Sequence, residues 1–384
     1  MGLSASAQIF IVGAAETPLG KVYDHSEMSM ISAALFEALD EAGLGLRDID
    51  GLFTAYTTGM APFAIADYLG LQPRFIDGTE IGGTSFLTHV NHAMLALASG
   101  RCKVALIAYA SRQRTKSQRM AGLEFDPESI LGQFEVPYGN PLPLGHFALS
   151  LSRHMHLYGT THEQLAEVAI AARSWARLNP KAFSRGELTL SDAMASPMVV
   201  DPIRRVDCCL RTDGGGVLLL TTGDRARDAR KQAVRVIGAG ESETHLHIAQ
   251  MPDLTTTAGA ESARAAFSMA GIVPADVDVL QPYDAFTYSV VLAVEDLGFC
   301  KKGEGGPFVA SGCMRPGGAL PSMTSGGGLS YCHPGQFGIL LLIEAVRQLR
   351  HEAGMRQVPD AEIAVAHGFG GLLSANSTVV LARN

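Results

Sequence analysis

The chain has 384 residues, of which 47% are hydrophobic and 18% are charged. This length and composition predict a large buried core, divided between two domains or two copies of one domain. The net charge of −8 and the lack of any basic run argue against a nucleic-acid partner. No stretch reaches the ~18 consecutive apolar residues of a membrane span, and Met1–Ala7 lacks the pattern of a signal peptide.

Six cysteines are scattered along the chain, without a CxxC pair or a zinc-type spacing with histidine. This usage predicts reduced thiols in a cytoplasmic protein, and no metal site.

The first hundred residues alternate between strand and helix patterns. Ala7–Gly13 and Val104–Ala110 are apolar runs that predict buried strands. Met28–Gly43 predicts a helix that ends on a glycine. Ile65–Gly70 predicts a short helix, and Ser85–Ser99 predicts a long one made of apolar and small residues.

The pattern changes between residues 112 and 205. This part contains a segment rich in Pro, Gly and acids, followed by two helix patterns, Leu149–Tyr158 and Glu163–Leu178. A buried strand, Gly214–Thr222, then resumes the core. An insertion of this length between core strands is typical of a functional lid rather than of a structureless loop.

The second half of the chain repeats the first. Ala42-Gly43-Leu44 corresponds to Ala270-Gly271-Ile272, and Asp48-Ile49-Asp50 to Asp276-Val277-Asp278, at one constant offset in numbering. The repeat predicts an α/β fold of two duplicated halves, with layered mixed sheets and helices. We assign 1–111 with 206–232 to the first half, 112–205 to the insertion and 233–384 to the second half. In such folds, sites lie at strand ends and helix N-termini.

Ser325–Gly338 is a glycine-rich loop that contains three consecutive glycines and one histidine, His333, followed by Pro334. Ile339–Arg350 then predicts an amphipathic helix. Glycine allows close backbone approach and positive φ. The loop therefore predicts an imidazole held at the mouth of a helix.

Three motifs together resemble those of the thiolase superfamily, in its sterol-carrier-type branch. Gly326–Gly338 is similar to the Gly-His-Pro loop of that superfamily, with Cys332 in place of a glycine. Tyr283–Thr287 is similar to its His-Asp-x-Phe-Thr or Asn-Glu-Ala-Phe segment, and His367–Gly371 occupies the place of its C-terminal catalytic glycine loop. The resemblance covers nearly the whole chain and implies that Tyr283, His333 and His367 are catalytic.

One motif of the superfamily is missing. The resemblance places the nucleophilic cysteine at Gly83, where Ile81-Gly-Gly-Thr-Ser85 contains no thiol. A thiolate at a helix N-terminus is an activated nucleophile, and glycine cannot replace it. Thr84 or Ser85 remain as alternative nucleophiles, although Ser85 also fits a helix N-cap. Cys332, and less so Cys102, remain as alternative thiols.

Without that cysteine, the resemblance implies enolate chemistry on an acyl-CoA thioester. His333, with Tyr283 or a water, would stabilise charge on the thioester oxygen. His367 would be the proton shuttle, and Tyr283 would protonate or deprotonate a β-hydroxyl. The thiolase-like steroid side-chain aldolases also lack the cysteine and use two tyrosines, of which the second falls at His333 here. The remaining predicted site residues are an oxyanion or pocket loop of Gly83, Thr84, Ser85, Gly370 and Gly371, and a substrate-binding group of Gly326, Gly327, Gly328 and Tyr331.

Two other functions stay open: an acetyl-CoA acetyltransferase whose nucleophile lies elsewhere, and a non-catalytic acyl-CoA or lipid carrier or complex subunit. The resemblance further implies a homodimer and a small OB-fold partner protein. CoA enters as part of the substrate, and no bound cofactor is expected. The central expectation is spatial, namely that the rings of Tyr283, His333 and His367 converge near Gly83.

Overall fold

The computed structural model describes residues 8–55, 61–116, 127–139 and 143–384. Residues 1–7 and 56–60, and two parts of the predicted insertion, 117–126 and 140–142, lie outside these ranges. The strands are β1 (Ile9–Glu16), β2 (Gly51–Phe53), β3 (Phe75–Asp77), β4 (Val104–Ser111), β5 (Met198–Val200), β6 (Ile203–Arg204), β7 (Gly214–Thr222), β8 (Val234–Glu243), β9 (Val279–Pro282), β10 (Ile363–Gly370) and β11 (Ala375–Ala382). The helices are α1 (Glu27–Ala42), α2 (Ala61–Leu69), α3 (Ser85–Ala98), α4 (Ile130–Phe134), α5 (Leu144–Tyr158), α6 (His162–Leu178), α7 (Leu190–Met194), α8 (Gly223–Ala226), α9 (Gly259–Ala270), α10 (Thr287–Asp296), α11 (Gly305–Ala310) and α12 (Gly338–Leu349).

Nine strands form one mixed sheet in the order β3-β2-β4-β7-β1-β8-β11-β10-β9. The antiparallel pair of β1 and β8 joins two halves. Outward from this joint, the first half runs β1, β7, β4 and β2, and its three successive pairs are antiparallel, antiparallel and parallel. The second half runs β8, β11, β10 and β9 with the same three pairings. The predicted duplication is therefore confirmed as a repeat of topology.

Two equivalent aspartates show that the repeat extends to side chains. One oxygen of Asp50 accepts the N–H groups of Lys103 and Val104, at 2.7 and 2.9 Å, where β4 begins. Asp278, its counterpart in the second half, accepts those of Glu362 and Ile363, at 2.9 and 2.8 Å, where β10 begins. Each carboxylate satisfies two backbone donors at a strand end, which pins β2 to β4 and β9 to β10.

Two helices lie between the halves of the sheet. α3 and α12 pack on each other, and each contacts strands of both halves. α1 covers the other face of the first half, and α9 covers the other face of the second half. α12 is buried on nearly all sides, and its sequence is apolar around almost the whole helix. α3 is also mostly buried, but its sequence includes polar residues, among them Ser85, Thr88 and His89. The N-termini of these two central helices meet at the site described below.

The described part of the predicted insertion contains α4 to α7 and the β5–β6 hairpin. α6 begins at His162 and ends at Leu178, close to the predicted Glu163–Leu178, and it packs against α10, α11 and the glycine-rich loop. α5 begins at Leu144, earlier than the predicted start at Leu149. The domain limits given above stay predictions. In the described ranges, no helix combines the length and the apolar character that a membrane crossing requires.

Candidate active site

The N-terminus of α3 is a tight turn of glycine and hydroxyl residues. A short 3₁₀ turn over Gly82–Thr84 leads into the helix. The Ser85 hydroxyl donates to the Gly82 carbonyl at 2.6 Å and accepts the Ile81 N–H at 3.0 Å. Ser85 is fully buried. Its hydroxyl is therefore engaged in fixing this turn. The N-cap expected at Ser85 is not observed, because Thr84 occupies that position and Ser85 is the first helical residue.

The ring of Tyr283 occupies the space that a side chain at position 83 would need. A Cβ added to Gly83 would lie 2.5 Å from Cζ and 2.6 Å from Cε2 of Tyr283, and closer still to its hydroxyl oxygen. Real Cβ atoms do not approach other atoms this closely. The two positions, far apart in the chain, are thus complementary: glycine at 83 makes room for the phenol of Tyr283.

The Tyr283 hydroxyl joins the two central elements of the site. It lies 3.1 Å from Nε2 of His333 and accepts the N–H of Phe337 at 3.0 Å, at the N-terminus of α12. The rings of Tyr283, His333 and Phe337 pack within 6.0 Å of one another, centroid to centroid. Because the hydroxyl already accepts from Phe337, its own proton is available to the His333 nitrogen. The expected convergence of Tyr283 and His333 at Gly83 is therefore observed.

Burial keeps both members of this pair neutral. Tyr283 is only 4% exposed, and desolvation raises the pKa of its hydroxyl well above the usual value. His333 is partly exposed as a whole residue. Its imidazole is nevertheless surrounded by the Tyr283 and Phe337 rings, and this desolvation lowers the pKa of the imidazole. At neutral pH the pair is therefore a neutral imidazole hydrogen-bonded to a neutral phenol, and the hydroxyl proton has a direct path to Nε2 of His333.

The glycine-rich loop supports His333 from behind. Gly327–Tyr331 forms one π-helical turn around the carboxylate of Asp284, which accepts the N–H groups of Gly328 at 2.6 Å and Leu329 at 3.0 Å. Asp284 is therefore an acceptor for backbone donors. A Cβ on Gly328 would lie 3.1 Å from Cδ2 of His333. The backbone N–H of His333 also donates to the Thr212 hydroxyl at 2.9 Å.

The residues predicted to bind substrate are placed differently. Gly326, Gly327, Gly328 and Tyr331 are all buried. Gly326 packs on Ala176 of α6, and the Tyr331 hydroxyl donates to the buried carboxylate of Glu16. This group therefore forms the support of His333 and does not line an open binding surface. In the sequence, the loop glycines and the aromatic ring suggested a binding surface. The sequence does not reveal that α6 packs over this loop.

His367 does not join Tyr283 and His333. Its Nδ1 lies 2.9 Å from the Thr378 hydroxyl, and its ring contacts Gly259 at the start of α9. The Thr378 hydroxyl in turn lies 2.9 Å from that of Ser262 on α9. The expectation that all three rings share one pocket is wrong, because the side chain of His367 points to the α9 face of the sheet. Its burial is complete and lowers the pKa of the ring to about 3.

The neighbour of His367 faces the site instead. Side chains alternate along a strand, so Gly368 and Gly370 point toward α3. A Cβ on Gly368 would lie 2.9 Å from Cβ of Thr84. The Thr84 hydroxyl is buried, and no described residue bonds to it. Gly371 lies against Gly82, whose added Cβ would be 2.7 Å from the Gly371 nitrogen. Sequence reasoning missed Gly368, because the alternation of a strand does not show which of two neighbouring residues faces α3.

Comparison with known proteins supports the resemblance of the motifs. Residues 240–383 match the family described as thiolase C-terminal domain-like. An acetyl-CoA acetyltransferase of Methanothermobacter thermautotrophicus is 32% identical over 94% of this chain and 96% of its own. A 17-hydroxy-3-oxo-4-pregnene-20-carboxyl-CoA lyase of Mycobacterium tuberculosis is 32% identical over 90% of this chain and 92% of its own. Sterol carrier protein 2 of Bos taurus is 30% identical over 60% of this chain and 44% of its own.

The chain belongs to the thiolase superfamily. Among solved structures, the Ltp2-ChsH2(DUF35) aldolase superposes with a TM-score of 0.90 at 28% identity, over 99% of both chains. The predicted thiolase fold is thus confirmed, and the similarity to sterol carrier protein 2 supports the sterol-carrier-type branch.

A thiolase-superfamily member that used a cysteine nucleophile would need a reactive thiol at this site. The Cys332 sulfur lies 3.1 Å from the Thr212 hydroxyl and 3.6 Å from the Asp213 carbonyl oxygen, and burial raises the pKa of the thiol to about 12. Cys102 packs against Gly51, and burial likewise raises its pKa, to about 11. Neither thiol has the exposure or the low pKa of a nucleophile.

Within the described ranges, no group of three or more His, Cys, Asp or Glu is placed to hold a metal ion.

Proposed function

We propose that this thiolase-superfamily protein cleaves or forms a C–C bond in an acyl-CoA thioester by aldol-type chemistry, without a cysteine acyl-enzyme. The observation that carries the proposal is the phenol of Tyr283, which fills the space at Gly83 and is hydrogen-bonded to His333. A hydroxyl at this place is a proton donor and acceptor, whereas a glycine offers no nucleophile.

In the cleavage direction, the substrate is a β-hydroxyacyl-CoA. The Tyr283 oxygen accepts the proton of the β-hydroxyl while the phenol passes its own proton to Nε2 of His333. The Cα–Cβ bond then breaks, so that the β-carbon becomes a carbonyl and the electron pair forms the thioester enolate. The proton held by His333 returns to Cα and gives a shortened acyl-CoA. Atoms and charge balance without any other reactant, and His333 takes the shuttle role first expected of His367.

The enolate oxygen requires positive potential, which the two central helices supply. The first N–H groups of a helix have no intrahelical acceptor, and its N-terminus carries a partial positive charge. The N-termini of α3 and α12 meet here, since a Cβ on Gly338 would lie 2.8 Å from the Leu87 side chain. The turn over Gly82–Thr84 is therefore the proposed oxyanion site.

The names of relatives favour this reaction over its rivals. One similar protein is named a CoA lyase, and the solved structure that superposes over 99% of both chains is named an aldolase. Another relative is named an acetyl-CoA acetyltransferase, so acyl transfer is the second candidate. It would require a nucleophile that neither Gly83 nor the buried Cys332 provides. A non-catalytic carrier has no use for the Tyr283–His333 pair.

We also propose a partner protein and a cytoplasmic location. The name of the Ltp2-ChsH2(DUF35) aldolase contains two components, which supports a small second protein, and the resemblance supports a homodimer. All six cysteines lie in described residues and are unpaired, as is usual for a reducing compartment.

The test is cleavage of β-hydroxyacyl-CoA thioesters by the full chain, alone and with a candidate small OB-fold partner protein. Tyr283→Phe should lower kcat by about 10²- to 10⁴-fold, the usual contribution of general acid–base catalysis. Tyr288→Phe is the matched control, because Tyr288 is also buried but bonds to Ser150 outside the site. Equal activity of the two variants would remove Tyr283 from the mechanism.

A further inference from the structure

Asp284 is a buried carboxylate at the centre of the site that the proposed reaction does not use. It follows Tyr283 directly in the chain and is completely inaccessible to solvent. Its two oxygens accept the N–H groups of Gly328 and Leu329. A Cβ on Gly327 would clash with the carboxylate, so the turn fits tightly around it.

The turn that surrounds Asp284 is also the surface on which the His333 ring rests. A Cβ on Gly328 would lie 3.0 Å from the Asp284 backbone oxygen on one side and 3.1 Å from Cδ2 of His333 on the other. The Gly328 carbonyl accepts the N–H of Leu210 at 2.8 Å. A shift of this glycine would therefore move the imidazole relative to the Tyr283 hydroxyl.

Among the described residues, the groups that act on this carboxylate include no cation. The titratable groups near it are the phenol of Tyr283 and the thiol of Cys209. The backbone N–H of Cys209 donates to the Ala285 carbonyl at 2.9 Å, which places this cysteine next to Asp284. Burial raises the pKa of the phenol and of the thiol, so both are neutral. His333 lies beyond Gly328, and burial lowers its pKa and keeps it neutral as well.

We propose that Asp284 is a positioning residue whose ionised carboxylate holds the Gly327–Tyr331 turn, and through it the His333 ring, in register with the Tyr283 hydroxyl. Adding a proton replaces one acceptor oxygen by an O–H donor that faces a backbone N–H. The turn then loosens and the Tyr283–His333 contact is lost. Burial raises the pKa of Asp284 to about 7, so this transition falls near neutral pH, with the competent state on the alkaline side.

The proposal deepens the proposed function and is tested first without any substrate. In the full chain labelled with ¹³C-histidine, the ring signal of His333 is assigned by its loss in His333→Asn. That signal should shift with a midpoint near pH 7, separately from the titration of the ring itself at lower pH. Asp284→Asn should abolish the neutral step, since an amide does not titrate. A wild-type signal without a neutral step, or a step that survives in Asp284→Asn, would overturn the proposal.

Asp278→Asn is the matched control. Asp278 also accepts two successive backbone N–H groups, but at the opposite end of β9. This variant should lose stability yet keep the neutral step of His333. If Asp284→Asn fails to fold, Asp284→Glu takes its place, because it keeps a carboxyl group and should show the step at a shifted midpoint. A missing step in folded Asp284→Glu would count against the proposal.

A kinetic arm rests on the proposed function. At pH 8, Asp284→Asn should lower kcat for β-hydroxyacyl-CoA cleavage by about 10- to 100-fold, as small misplacements of catalytic groups do, with KM changed less than twofold. An unchanged kcat would refute the positioning role. If the wild type cleaves no such substrate, the proposed function fails, while the histidine signal still decides the role of Asp284.

Discussion

The fit between Gly83 and Tyr283 leads to a quantitative prediction for Gly83→Ala. The added methyl would lie 2.5 Å from Cζ and 2.6 Å from Cε2 of Tyr283, where carbon atoms prefer about 3.5–4.0 Å. The ring cannot retreat freely, because its hydroxyl bonds to both Phe337 and His333. Overpacking of a core typically costs about 1–3 kcal/mol, and we expect the upper end of this range here.

The same substitution should be harmless once the ring is gone. Tyr283→Ala removes a buried aromatic side chain and should itself cost about 3–5 kcal/mol. In that background the alanine at position 83 enters empty space. The expected coupling energy between the two positions is then about 2–3 kcal/mol, at the top of the range for residues in contact.

The assay is denaturant unfolding of the wild type, both single variants and the double variant, followed by circular dichroism and by the fluorescence of Trp175. Gly186→Ala is the control, because Gly186 has no atom within 4 Å of an added Cβ, and it should change the free energy of unfolding by less than about 1 kcal/mol. If Gly83→Ala costs the same with and without the Tyr283 ring, the claimed complementarity is wrong.

Three further predictions concern the cysteine, the acid–base pair and the buried imidazoles. Cys332→Ala should keep wild-type turnover, measured by CoA-thioester cleavage, and a loss beyond about tenfold would restore the thiol as a nucleophile. His333→Asn and Tyr283→Phe should not add up in kcat, because residues that act as a unit are strongly non-additive; additive losses would mean separate roles. Burial lowers the pKa of His89 to about 4 and that of His367 to about 3, below the ~6.5 of an unfolded chain. The unfolded state therefore binds more protons, and the free energy of unfolding should fall as the pH drops below about 6.5, by up to about 1.4 kcal/mol per pH unit for each imidazole. Urea midpoints of the wild type and of His367→Gln, measured between pH 7 and 5, check this. An equal dependence of the two midpoints on pH would contradict it.

The duplicated fold was predictable because it rests on local and repeated features. The two Asp-x-Asp segments lie at one offset, and the second aspartate of each, Asp50 or Asp278, pins equivalent strands. The meeting of Tyr283 and His333 was predicted from the resemblance of their two motifs to those of the thiolase superfamily. Each motif includes the reactive side chain, Tyr283 or His333, together with the residues that set the local backbone around it.

Two features of the site required coordinates. The face to which His367 points depends on the register of β10, and a shift of one residue in a strand moves every side chain to the other face. The sequence contains His367 and Gly368 side by side and does not indicate which of them faces α3. The complementarity of Gly83 and Tyr283 joins positions in different halves of the chain, so no local pattern reveals it.

The most direct test of the account is the mass of the intact protein during turnover of a β-hydroxyacyl-CoA. We predict that a carbonyl product and a shortened acyl-CoA form while the protein mass stays unchanged, and that Tyr283→Phe forms both products about 10²- to 10⁴-fold more slowly. An increase in protein mass by one acyl group, chased away by free CoA, would show a covalent acyl-enzyme and contradict the account.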